Sequence, residues 1–151
     1  MLHRNIKFFR LIAICLVAVM IVPIQAHAST EENIEPRASY YLDSYQAYVY
    51  PAGSGEIQVW FNVTADDYMD EVGALSIHIY ESSDNSTWTY KTTYRHTNYP
   101  NMLATNDIFH CSYITYQGTA GKYYKAYVCI WAGKDGGGDT RYYWTSSKKA
   151  T

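Results

Sequence analysis

Cysteine, proline and glycine are scarce in this chain, with 3, 4 and 9 residues among 151. Those numbers exclude a disulfide-dense miniprotein, a collagen-like repeat and a low-complexity chain. No block of like charge occurs, because 12 basic and 14 acidic residues are spread along the sequence. No helical period persists over a dozen residues and no internal repeat is visible. The length suits one domain of ordinary size.

Tyrosine is what the chain has in quantity, 17 residues of it, beside 4 tryptophans. Aromatic and β-branched side chains fit a pleated, half-buried surface, so the composition predicts a β protein. The first ten residues carry Arg4, Lys7 and Arg10 without an acid, and residues 11–24 (LIAICLVAVMIVPI) are uncharged and almost wholly apolar. With Ala26-His27-Ala28 following, this reads as a signal peptide cleaved after Ala28. Fourteen apolar residues in a helix cover only about 21 Å of a roughly 30 Å hydrocarbon core, so no stable membrane span is expected. The expected protein is secreted.

Residues 29–151 number 123 and carry 9 basic and 14 acidic side chains, a net charge of −5. An acidic domain repels phosphate backbones, which argues against nucleic acid as a partner. Leu, Ile, Val and Phe supply only 17 of the 123 residues. Tyr and Trp provide the missing apolar area.

The pattern divides this part into a flexible lead-in (29–44), a folded domain (45–147) and a short tail (148–151). Strands are predicted at 45–50, 56–64, 75–80, 87–92, 108–116, 122–132 and 139–146, from alternation and from the turn clusters between them. In the second strand Ile57, Val59, Phe61 and Val63 alternate with Gln58, Trp60, Asn62 and Thr64; in the third, Leu75, Ile77 and Ile79 alternate with Ser76, His78 and Tyr80. Residues 65–73 read as a polar loop. Seven short strands at this spacing favour an all-β, antiparallel sandwich. The stretches IYESSDNSTW and GKYYKAYVCIWAG resemble strands of immunoglobulin-like or fibronectin-like modules, and more closely those of small secreted, functionally uncharacterised single-domain proteins of Gram-positive bacteria. The resemblance covers most of residues 45–147 and implies an immunoglobulin-like sandwich at a cell surface. It carries over no functional residue.

Cys111 and Cys129 remain once the leader is removed, an even number in an oxidising route. If Thr119-Ala120-Gly121 closes a three-residue hairpin, Gly118 faces Lys122 and Cys111 faces Cys129, so a disulfide is expected. The same register sets Phe109 opposite Trp131 and Tyr113 opposite Tyr127. The other side of the hairpin carries Ile108, Ile114, Tyr124, Ala126, Val128 and Ile130, and this side is placed inward because Lys125 needs water. Phe109, Tyr113, Tyr127 and Trp131, joined by Tyr142 and Trp144, then form an outer aromatic face. The reverse, in which these rings are the core or are covered by residues 29–43, stays open.

Catalytic chemistry is thinly represented. His78, His96 and His110 lack the HxH and HExxH spacings of zinc ligands, no CxxC is present and no serine stands in a G-x-S-x-G elbow. Asp66, Asp67, Asp70 and Glu71 offer oxygens to calcium but lack the D-x-D-x-D-G order, and read as a solvated turn. No cofactor is expected. The residues point to a non-enzymatic module that binds a surface glycan or a protein ligand. A self-associating cell-surface protein and a small hydrolase or toxin are the alternatives.

Overall fold

The computed structural model describes residues 39–151. The expected leader, its cleavage point and residues 29–38 of the lead-in lie outside them. Seven strands follow in order: β1 (Leu42–Gly53), β2 (Glu56–Ser82), β3 (Thr89–Arg95), β4 (Leu103–Gln117), β5 (Tyr123–Lys134), β6 (Gly137–Trp144) and β7 (Lys148–Lys149). A single 3₁₀ turn, Pro100–Met102, precedes β4. All pairings are antiparallel, so the all-β prediction holds. The strands form one seven-stranded sheet curled into a half-barrel, where the sequence suggested the two separate sheets of an immunoglobulin-like sandwich. Among the described residues no helix is long and apolar enough to cross a membrane.

The reason lies in β2, a strand of 27 residues. Straight, it would span about 90 Å, against a radius of gyration of about 13 Å for a domain of some 100 residues. It therefore bends, at a register shift between Thr64 and Met69 and a second between Ala74 and Ser76. Such irregularities add local twist and reset which residues face inward. Residues 65–73, expected as a polar loop, are this bend. Asp66, Asp67 and Tyr68 point to water, while Met69 and Val72 reach the core.

β1 and β4 flank the first half of β2; β3 and β5 flank the second, with β6 outside β5. The hairpin expected between β4 and β5 is absent, since the two lie on opposite edges of β2. Glu71, Val72 and Gly73 pair with both. The turn at 118–122 crosses between edges and is held by main-chain bonds from Gly118 to Gly55, Lys122 to Thr119 and Gly121 to Ala150.

The inner face is aliphatic, as assigned from Lys125. Ile57, Val59, Phe61, Ile77, Ile79, Val128 and Ile130 are fully buried, and Tyr45 meets Tyr143 edge-on across the interior at 6.2 Å. Ile114, Tyr124 and Ala126 are buried as expected, whereas Ile108 is exposed because it lies within the Thr64/Met69 shift, unpaired between Asp107 and Phe109. Tyr124 is the largest buried side chain; its hydroxyl donates to Glu81 Oε2 at 2.5 Å and accepts the Thr119 amide at 2.8 Å. The ends of the domain are firmer than their composition suggested. Ser39 and the amides of Tyr40 and Tyr41 bond the Asp139 carboxylate, β1 begins at Leu42, β7 pairs with β5, and Ala150 is buried.

Candidate functional site

The six aromatic residues expected on one face fall into three places. Phe109 and Tyr113 lie on the outer face of the first half, where Tyr113 stacks on Trp60 at 4.4 Å and Trp60 lies parallel to Tyr48 at 6.5 Å. Trp131 lies over the backbone of Gly133 and Gly138, where a Cβ atom would meet its ring at 2.4 and 2.3 Å. Tyr127, Tyr142 and Trp144 lie together on the outer face of the second half. Tyr127 is 5.4 Å from Tyr142 and nearly parallel to it, and 4.6 Å from Trp144.

Strand pairing builds the second-half face in rows. Arg95, Ser76, Cys129 and Tyr142 run side by side across β3, β2, β5 and β6; Thr93, His78, Tyr127 and Trp144 form the next row. Tyr90, Tyr80 and Lys125 form a third. Tyr80 packs on Trp144 at 5.1 Å, and the Lys125 ammonium sits 4.4 Å from the Trp88 ring centre and 4.6 Å from that of Trp144. Lys125 thus fixes the Trp144 ring by a cation–π contact. Tyr80 and His78 were missing from the sequence-predicted face. Their signal was present in the alternation over 75–80, which set Ser76, His78 and Tyr80 on one side.

An open cavity of about 380 Å³ adjoins the ring cluster, lined among others by Ser76, His78, Arg95, His96, Cys129 and Tyr142. A chain of hydrogen bonds fixes its floor: Ser76 Oγ lies 3.2 Å from His78 Nε2, His78 Nδ1 2.8 Å from Thr93 Oγ1, and Thr93 Oγ1 2.9 Å from the Tyr90 hydroxyl. Burial, aided by the Arg95 charge, lowers the His78 pKa and favours the neutral imidazole. A serine hydrolase also sets a carboxylate against its histidine, to stabilise the imidazolium that forms in the transition state. Here the third group is the neutral hydroxyl of Thr93, and the nearby charge is positive. The Ser76–His78 pair thus has a hydroxyl where that triad has a carboxylate, and the three side chains hold one another in place.

The cysteines are not paired. Cys111 faces Asn62, Cys129 faces Ser76, and both are free, Cys111 exposed and Cys129 buried. The expected disulfide fails because β4 and β5 are not neighbours. Burial raises the Cys129 pKa, against the hydrogen bonds from Tyr142 and Ser76, and so suppresses its thiolate. Alkylation of the native protein followed by peptide mapping should label Cys111 and spare Cys129 until denaturant is added. Rapid native labelling of Cys129 would contradict this burial.

The acidic stretch forms contacts of its own. Asp67 pairs with Lys134 at 2.7 Å, and Asp70 accepts the Asp135 amide at 2.8 Å. Among the described residues no group of three His, Cys, Asp or Glu side chains is placed to hold a metal ion.

No family model matches the chain, and no curated protein matches it. Among solved structures it is similar, at 15% identity and a TM-score of 0.31, to a family 76 glycoside hydrolase from a bovine Bacteroides thetaiotaomicron strain. The match covers 71% of this chain and 20% of that one, so the chain spans about a fifth of that protein's length. A likeness so weak bears on neither activity nor substrate.

Proposed function

We propose that the protein is a secreted, non-enzymatic binding module that holds a surface glycan on the outer face of β3, β2, β5 and β6. The observation that carries this reading is the juxtaposition of exposed Tyr142 and Trp144, stacked around Tyr127, with the open polar cavity of Ser76, His78, Arg95 and His96. Aromatic rings offer apolar surface edged by hydroxyl and indole donors, suited to sugar rings, while a few fixed polar groups set orientation. The leader read from residues 1–28 supports an extracellular setting, and the Thr93 hydroxyl on His78, where a hydrolytic triad has a carboxylate, supports binding over hydrolysis.

The test is a glycan array probed with the parent protein and with Trp144→Ala. Trp144 is half exposed, so its removal should leave the thermal midpoint within a few degrees. Loss of a central aromatic anchor should cost about 2 kcal/mol of binding, roughly thirtyfold in affinity. Unchanged retention of every glycan bound by the parent would place the site elsewhere.

Self-association is the second reading, favoured by the row in which exposed Tyr48 and Tyr113 flank half-buried Trp60, with exposed Phe109 beside it. Against it, side chains occupy backbone groups of β4 that edge pairing would need. Asp107 Oδ1 accepts the Ile108 and Phe109 amides, Asn101 donates to the Tyr113 carbonyl, and the Tyr94 hydroxyl donates to that of Thr115. Sedimentation across a concentration series should show a monomer; a mass that grows with concentration would reassign the row to a homotypic contact.

A further inference from the structure

We infer that the sugar residue seated in the cavity carries a carboxylate, so that the ligand is an acidic saccharide of the uronic-acid class. The inference rests on the glycan-binding reading and specifies its ligand. Its first ground is the sign of the site. In a chain with more acids than bases, the cavity lining includes the Arg95 guanidinium and no Asp or Glu. A different cavity, beside Trp131, carries Asp70 and Glu71 together with Lys134.

The second ground is Arg95 itself. Ion pairs join Lys91 to Glu81 and Lys134 to Asp67, and among the described residues no carboxylate lies within ion-pair distance of Arg95. Its planar fork matches a carboxylate through two parallel hydrogen bonds, geometry that a hydroxyl cannot reproduce. Arg95 stands at one end of its row and Tyr142 at the other, with Ser76 and Cys129 between. Three strand spacings of about 4.8 Å separate the ends, roughly 14 Å, room for a short run of sugar units. A carboxylate at Arg95 therefore leaves the neighbouring units to reach Tyr142 and Tyr127, whose rings are nearly parallel. The net negative charge of the rest of the domain is little obstacle, because salt screens exposed charges beyond about 8 Å.

Titration calorimetry of the secreted protein with oligogalacturonate, its full methyl ester and a sulfated galactan oligosaccharide free of uronic acid tests the inference. The ester keeps the sugar ring and removes the charge. The acid should bind about tenfold to a hundredfold more tightly than the ester, and the difference should shrink as salt rises. Arg95→Gln should abolish that difference, bringing the affinities for acid and ester together, with circular dichroism confirming the fold. Arg95→Lys, which keeps charge without the fork, should retain only part of it. Ester bound as tightly as acid would overturn the carboxylate and leave glycan binding standing. Preference for the sulfated oligosaccharide would overturn it in favour of a sulfate site. Failure of all three, together with failure of neutral oligosaccharides on the array, would overturn both readings.

Discussion

Gly73→Ala is expected to destabilise the domain by about 3 to 5 kcal/mol, against a typical total of 5 to 15. Gly73 has φ +146, and a Cβ there would lie 2.2 Å from the Met102 carbonyl oxygen, 3.0 Å from the His110 ring and 3.2 Å from Leu103 Cα. Two of those three atoms are main chain, so relief requires β4 to move away from β2. The backbone conformation alone costs about 1 to 3 kcal/mol for a residue with a side chain, and overpacking adds about as much again. Gly136→Ala is the control. It too has positive φ, at +77, but nothing lies within 4 Å of its Cβ, so only the conformational cost of about 1 to 2 kcal/mol applies. Urea denaturation of the two variants measures the difference. Equal losses would show that β2 and β4 do not meet closely at Gly73, and would undermine the bend that separates the two halves of the sheet.

Trp131→Ala is expected to cost about 3 kcal/mol of stability and to leave glycan affinity unchanged in the folded fraction. The sequence placed Trp131 among the binding rings, but its six-membered ring covers Gly133 and Gly138, supplying the side-chain cover that two glycines in adjoining strands lack. Its indole nitrogen is buried without a hydrogen-bond partner. Trp131→Phe should therefore restore much of the loss, because it keeps an aromatic cover and removes the unsatisfied donor. Thermal unfolding beside the glycan array separates the roles. A stable Trp131→Ala protein that no longer binds would return this ring to the site.

These two residues show where sequence reasoning reaches its end. Trp131 sits in a run whose alternation is plain, and alternation correctly put it on the face opposite Val128 and Ile130. It says nothing of what lies above the ring, because Gly138 comes from the next strand. Gly73 was read as the end of a loop, because a polar stretch followed by glycine has that local signature. In the fold it is the point at which β4 and β5 both meet β2.

The sequence by itself determined the all-β class and which residues share a face of each strand, since these follow from side-chain type and a period of two along single strands; Lys125 favoured the aliphatic side as the inner one, but whether Tyr113, Tyr142 and Trp144 meet water stayed open until the fold was seen. Tertiary structure alone decided which strands are neighbours. The turn at 118–122 is short enough for a local hairpin, and that pairing would have joined Cys111 to Cys129 and Tyr113 to Tyr127. Burying both apolar halves of a 27-residue strand instead sends β4 to one edge of β2 and β5 to the other. That choice parts the cysteines, divides the rings among three places and brings Arg95, Ser76 and Tyr142 into one row. A turn constrains only its own few residues, whereas the burial that outweighs it is summed over the whole length of β2.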